Sequence, residues 1–475
     1  MKYIFLSISL FFLIISCGRS VETVTVESPP LEPITGPDTA SGVTSPAEDD
    51  FIHLKIGETN NIESLDPLFA ETNSELRITH LIYDGLAKLD ESGNPEPALA
   101  KNWEVNRDST RFTFNLRTDV FFHDVNSFSG GIGRKFTGSD VSFIFERMAS
   151  ILVPDFAAEM FNNIRGFNAY HNEQTFVKNA EKRVYDSIDG LDVQNDSTIV
   201  ITLNQPSPDF LHKLTHPYAS VYASESTTSI NPPIQRPAGT GVFYYVTTDE
   251  NRHILAVNNS YHGQKPDINR LDFISGLSES DLFELFVRNE LDAVIEPSPS
   301  TITMVADSTG EITNSYADNY KLVQAPANSS YSLYYNESSN QESAINMFLS
   351  TLNTDNMFEN PVLGSIEVHD LDTTNANEGN GGAITIAHTT HSSELYLINR
   401  VLKRAASLGF TAFLNASYAI TDDVTISTRL FPNTTHILTW NTPLFILMQN
   451  NASGIQISHE PWNIDISQIS VSEEI

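Results

Sequence analysis

An α/β fold spread over two or three domains is what this sequence predicts, on three observations. Strand-like alternation recurs in short runs, as in Ile52-His53-Leu54-Lys55-Ile56. Between these runs lie segments whose apolar residues return at helical spacing, as in Leu76–Tyr83 and Glu394–Ser407. The chain has 475 residues, and domains hold roughly 100–200 each.

The elements follow in order. Lys2 precedes an apolar run from Tyr3 to Ile15, and Ser16 stands directly before Cys17, the only cysteine. The run is shorter than the roughly 20 residues needed to span a bilayer, so it reads as a cleaved secretory signal. A signal ending on cysteine resembles the bacterial lipobox, which implies lipidation of Cys17 and an anchor made of lipid. A lone cysteine also leaves the exported body without disulfides. From Gly18 to Asp50, Val, Thr, Ser, Glu and Pro recur without period, as in an extended linker. Leu65-Asp66-Pro67 makes a turn, Leu76–Tyr83 a helix closed by Gly85, and Trp103–Val105 with Arg111–Arg117 a hairpin around Asn106-Arg107-Asp108.

Lys and Arg number 27 against 60 Asp and Glu, a formal charge of −33. An acidic field of that size repels phosphate backbones and disfavours nucleic-acid binding. Ser139 stands where a Walker loop needs its lysine, and neither G-x-S-x-G nor H-E-x-x-H occurs. His212 and His216 are spaced to share a metal on a helix, and His388 and His391 form a second pair at a strand end, but no third ligand lies near the first pair. Metal is therefore not expected, nor is any cofactor.

Five segments in register, LDPLFA, LIYDGLAKLD, GNPEPALAKNWEV, FTFNLRTDVFFHD and FTGSDVSFIFERM, resemble the extracytoplasmic solute-binding proteins of family 5, the dipeptide, oligopeptide and nickel type. The glycine-rich insertion Ser129–Lys135 is similar to a loop of one branch of that family. The resemblance continues through the hairpin of Ile188–Val193 and Thr198–Leu203, the AGTGVFYYV turn, VNNSYHGQKPDINRLDF and LFELFVRNELDAVIEP, covering Ile52 to Pro297. Beyond Asp307 it thins. Ser332–Asn336 offers a strand, Ser343–Leu349 a poor helix, and Asn375–Gly382 a polar, glycine-rich stretch. Ala383–Ala387, Glu394–Ser407 and Gly409–Phe413 then read strand, helix, strand. His436–Asn441 falls where the family has a strand ending in Trp, and the acidic residue that follows there is replaced by Asn441-Thr442-Pro443-Leu444. Trp462–Val471 is expected as the last strand, returning to the first lobe.

The resemblance implies a two-lobe clamshell of the periplasmic-binding class, type II-like, with an extra subdomain. Residues 51–74, 190–300 and 456–475 would form lobe I, 75–189 its subdomain, and 301–455 lobe II. It implies an extracytoplasmic, lipid-anchored monomer that binds a peptide or related small solute between its lobes and delivers it to the permease of an ABC importer. ATP would be hydrolysed on other subunits, and this chain would be no enzyme. The alternative is a solute sensor or envelope-adhesion lipoprotein that has lost transport. By position, the residues expected to line the cleft are Phe69, Thr72 and Asn73; Gly239, Thr240 and Gly241; Tyr335 and Asn336; and Trp440 with Asn441. Trp440 is the expected aromatic wall, since an indole offers a broad apolar face and one donor.

Overall fold

The computed structural model describes residues 52–471, apart from 151–152, 228–232, 235, 337–360, 369–382, 388–391, 408–410, 416–423 and 428–433. The signal, Cys17, the linker, Ser343–Leu349, Asn375–Gly382, and His388 with His391 lie outside the described residues. Among those described, no helix is long and apolar enough to cross a membrane.

The first strand, β1 (His53–Glu58), follows its alternation: Leu54 and Ile56 are fully buried on one face. Helix α1 (Asn73–Ile82) begins three residues before the apolar run, because Thr72 and Glu75 form a capping box. The Thr72 hydroxyl accepts from the Glu75 amide at 3.2 Å and the Glu75 carboxylate accepts from the Thr72 amide at 3.0 Å. Strands β2 (Ala100–Val105) and β3 (Arg111–Leu116) form the expected hairpin. Helix α2 (Gly138–Met148) follows the glycine-rich insertion. Its Arg147 reaches the buried Asp66 of the Leu65-Asp66-Pro67 turn, with Nη1–Oδ1 at 2.9 Å and a second bond from Nη2 to Oδ2.

Strands β4 (Leu191–Asn195) and β5 (Thr198–Thr202) complete a four-stranded sheet in the order β2-β3-β5-β4. This corrects the expected boundary at residue 190, which cuts through that sheet. The boundary at residue 75 likewise divides α1, which is bonded to β1 through Ser74 and Arg77, both onto Glu58.

The main sheet continues with β6 (Phe243–Asp249), β7 (Arg252–Val257), β8 (Arg270–Ile274), helix α3 (Glu279–Val287) and β9 (Ala293–Ile295). After α4 (Pro299–Val305) come β10 (Tyr320–Asn336), β11 (Ser365–Val368), β12 (Ala383–Ala387), α5 (Ser392–Ser407), β13 (Thr411–Asn415), β14 (Val424–Ser427) and β15 (Thr434–Gln449). The order β13-β12-β14-β10-β15-β9-β1-β8-β7-β6, with β11 also on β15, makes one eleven-stranded sheet.

Two strands hold it together. At 17 and 16 residues, β10 and β15 each run about 50 Å. They pair antiparallel along nearly all of that length, with two interruptions: between Leu333 and Tyr334 the partner jumps from Leu438 to His436, and, more widely, Gln324 faces Phe445 and Asn328 faces Pro443, so three residues of β10 oppose Leu444 alone. Ala325, Ala327, Leu444, Ile446 and Met448 bury into a first core with β1, α1 and the four-stranded sheet. Tyr331, Leu333, Trp440, Phe445 and Leu447 bury into a second core with Leu397, Ile398 and Val401 of α5.

The chain returns to this part of the molecule twice. β15 itself runs back beside β9, where Met448, Leu447 and Ile446 pair with Ala293, Val294 and Ile295, and Trp462, Ile464, Ile466 and Ile469 then pack into the first core. Residues 462–471 contribute only two-residue strands, Ile464–Asp465 against Gln456–Ile457 and Ser470–Val471 against Ala452–Ser453.

Candidate ligand-binding site at the crossing strands

The N-terminus of α1, the end of β1, the exit from β9 and the crossing strand β10 meet at one buried polar cluster. Arg77 is fully buried, as is Glu58 at the last position of β1. The guanidinium gives Nε and Nη2 to the two Glu58 oxygens at 2.8 and 2.6 Å, Nη2 also to Glu296 Oε2 at 2.9 Å, and Nη1 to the Pro461 carbonyl at 2.7 Å. One arginine thus serves two carboxylates. Burial lowers its pKa, and Glu58 and Glu296 outweigh that, holding it above the ordinary arginine value.

Asn73 and Ser329 join on the other side of Glu296. Asn73 Nδ2 donates to Glu296 Oε1 at 3.2 Å, and the Ser329 hydroxyl donates to the same oxygen. Thr72 caps α1 beside them. Phe69 is half-buried, with the Arg147 guanidinium 5.8 Å from its ring centre.

The glycine turn lies elsewhere. Gly241 donates its amide to the Ile82 carbonyl at 2.9 Å, so the turn sits at the far end of α1, about 15 Å from Asn73. A Cβ on Gly239 would stand 2.1 Å from the Ile82 carbonyl oxygen, and one on Gly241 2.5 Å from that of Leu81. Glycine is required there by the close approach of backbone to helix. Thr240 is buried, its hydroxyl donating to Asp84 Oδ2 at 2.8 Å.

Trp440 is enclosed in the second core at 0% exposure, contrary to its expected place on an open wall. Its indole N–H donates to the Leu363 carbonyl at 2.7 Å, and the rings of Tyr331 and Tyr396 lie 5.5 and 6.0 Å from it. Asn441 beside it is half-buried, its Oδ1 accepting from Ser330 at 2.7 Å. Tyr335 and Asn336 end β10, paired through the backbone with Thr435 and Thr434. The structure therefore gathers Thr72 and Asn73 with Glu58, Arg77, Glu296 and Ser329, the last four of which the sequence reading missed. The available signals were an arginine within a helix's apolar stripe and an acid ending each of two apolar strands.

Of the histidine pairs, His212 is exposed, whereas His216 Nδ1 accepts from the Tyr218 amide at 3.2 Å and burial lowers its pKa to about 3. Among the described residues no cluster of three metal-ligating side chains occurs.

His123 is buried beside the glycine turn, its Nε2 2.9 Å from the Gly241 carbonyl. Burial lowers its pKa from 6.5 to about 4, against the opposing effects of that carbonyl, Asp84 and Asp124. Below pH 6.5 the unfolded chain binds a proton that the folded chain refuses, so this contribution to stability is lost as pH falls toward 4. The loss expected from His123 alone is about 3 kcal/mol. Urea midpoints measured across that window should fall with acid, and less steeply for His123→Gln; equal slopes would remove the histidine from the account.

The model for the bacterial extracellular solute-binding proteins, family 5 Middle, matches residues 94–363, more than half of the chain. The chain belongs to this family. Heme-binding protein A of Haemophilus influenzae is 31% identical over 209 residues, which are 42% of this solute-binding protein and 35% of that one. The dipeptide-binding protein of Escherichia coli is 26% identical over 213 residues, 43% and 37% of the two chains. The chain thus spans little more than a third of the length of these relatives. Among solved structures, the periplasmic binding protein DppA of Helicobacter pylori, in complex with peptide STSA, superposes with a TM-score of 0.72 at 14% identity, covering 89% of this chain and 99% of that one. NikZ of Campylobacter jejuni, in complex with Ni(L-His), superposes at 0.65 with 15% identity, covering 88% and 99%. These superpositions establish the two-lobe periplasmic-binding fold.

Proposed function

We propose that this protein is the extracytoplasmic receptor of an ABC importer, capturing a peptide or related small solute between its lobes and presenting it to a permease. The observation that carries the reading is the pair of long strands shared by two cores, interrupted where three residues face one. Strands that continue from one body into the other let the two close on a ligand while staying joined. The relatives are named for heme and dipeptide, and the superposed structures hold a peptide and a nickel–histidine complex. Solute of that size belongs near Thr72, Asn73 and Ser329, where helix α1 begins and the strands cross. Lobe I then comprises β1, α1, β6 to β9 and the C-terminal segment, its subdomain the four-stranded sheet with α2, and lobe II the part beyond the register break.

Native mass spectrometry of the purified protein tests this. A mass excess that disappears on partial unfolding is expected, and fragmentation identifies the solute. If the protein is always ligand-free and no peptide pool, heme or nickel–histidine raises its melting temperature, the receptor reading fails.

Anchoring belongs to the same proposal. Cys17→Ser should move the protein from the detergent phase to the aqueous phase, because the acyl chains on Cys17 supply its hold on the membrane. Partitioning equal to wild type would eliminate the lipid anchor.

A further inference from the structure

The surface segment from Phe176 to Tyr185 carries the two most exposed large apolar side chains among the described residues, Val184 at 79% and Phe176 at 77%, with Tyr185 exposed beside them. The segment is pinned, so this exposure is built in. Phe176 ends the helix Phe167–Phe176, whose first residue, Phe167, is buried. One turn before Phe176, the Glu173 carboxylate accepts from the amides of Val184 at 2.6 Å and Tyr185 at 2.8 Å. Arg183 Nε donates to the Val177 carbonyl at 3.2 Å. These bonds lay residues 183–185 alongside the end of the helix and gather Phe176, Val184 and Tyr185 into one patch.

The charges around the patch differ from those of the rest of the chain. Residues 178–183 hold three of the 27 lysines and arginines, Lys178, Lys182 and Arg183, and one of the 60 acids, Glu181. Lys178 and Lys182 are exposed, Arg183 is half-buried, and Asp186 borders the patch. Apolar side chains with a tyrosine, flanked by lysine and arginine, suit the boundary between lipid headgroups and acyl chains, where rings meet hydrocarbon and cations meet phosphate. The formal charge of −33 adds to this, because an anionic bilayer repels the body as a whole and turns toward itself the face that carries cations. Such a patch binds weakly when the protein is free. A tether changes that: Gly18–Asp50 as a flexible coil reaches about 30 Å from Cys17, and confinement of that kind gives an effective concentration of about millimolar.

We propose that Phe176, Val184 and Tyr185, with Lys178, Lys182 and Arg183, form a membrane-contact patch that seats the subdomain on the anionic bilayer to which Cys17 anchors the chain. The patch sets how the tethered body is turned over the membrane. It rests on Cys17 as the point of attachment and is independent of which solute the cleft takes.

Tryptophan quenching by brominated phosphatidylcholine tests the patch. The unacylated chain from Cys17 onward is coupled through that cysteine, its only thiol, to a maleimide lipid in vesicles of phosphatidylcholine and phosphatidylglycerol. Attachment is then fixed by chemistry, and the outcome does not depend on lipidation in the cell. Val184→Trp places an indole in the patch, and Asp249→Trp places one on the exposed end of β6. Trp440 and Trp462 are buried and Trp103 is half-buried, so the unsubstituted protein supplies the baseline. An indole held roughly 5–10 Å into the headgroup–acyl boundary should lose about half of its emission to the bromines. Asp249→Trp should stay close to the baseline. Adding Phe176→Ser, or Lys178→Glu with Lys182→Glu, should abolish most of the quenching of Val184→Trp. Quenching of Val184→Trp no greater than that of Asp249→Trp overturns the patch and leaves a protein partner to cover it. So does quenching that survives both sets of substitutions, which would mean that the tether alone brings the body to the lipid.

Discussion

Trp440→Ala is expected to destabilise the ligand-free protein by about 3–5 kcal/mol. The indole is wholly buried between Tyr331 and Tyr396, so truncation leaves a cavity that two large rings cannot close without leaving their own positions. It also strands the Leu363 carbonyl, which receives the indole N–H at 2.7 Å, and an unsatisfied buried acceptor costs about 1–3 kcal/mol in its own right. Trp440→Phe should lose less, because a ring still fills most of the space and the missing hydrogen bond becomes the main defect. Urea unfolding of the apo protein, followed by near-ultraviolet circular dichroism, measures both. A drop below about 1 kcal/mol, accompanied by lost solute binding, would return Trp440 to the cleft.

Why Trp440 misleads is a matter of strand geometry. Alternation identifies a strand when one face is wet, but β15 is covered on both: Leu444 and Ile446 enter the first core, Phe445 and Leu447 the second. An aromatic residue on such a strand reads the same whether it meets ligand or core. In the N-terminal half, local signals suffice. The alternation of β1, the hairpin of β2 and β3 and the Leu65-Asp66-Pro67 turn each sit within a few residues of the features that specify them. Helix α1 begins early because its capping box precedes the apolar run. The polar cluster was illegible for another reason. Arg77 meets Glu58 from 19 residues away and Glu296 from 219, and only the folded sheet brings the ends of β1 and β9 together. The family resemblance supplied the fold, but positions carried over from it could not tell Asn73, which joins the cluster, from Gly239, which serves the packing of α1.

Arg77→Met is expected to cost about 3–5 kcal/mol, the effect of removing one partner from a buried ionic set. Methionine fills much of the volume, so packing is a minor part of the loss. What remains is Glu58 and Glu296 in a site closed to water, with Ser74, Asn73 and Ser329 as donors but without the guanidinium that both carboxylates share. Two consequences separate this electrostatic cost from simple cavity formation. Adding Glu58→Gln and Glu296→Gln to Arg77→Met should recover a large part of the stability, since neutral amides bring no unpaired charge into the site. The gap between wild type and Arg77→Met should also narrow between about pH 7 and about pH 5, because acid neutralises the stranded carboxylates while the wild-type set keeps its pairing. Chemical denaturation of the three proteins across that range decides it. A gap independent of pH and unrelieved by the amides would mean that Arg77 stabilises the fold through its side-chain volume and its bond to the Pro461 carbonyl, not through the two carboxylates.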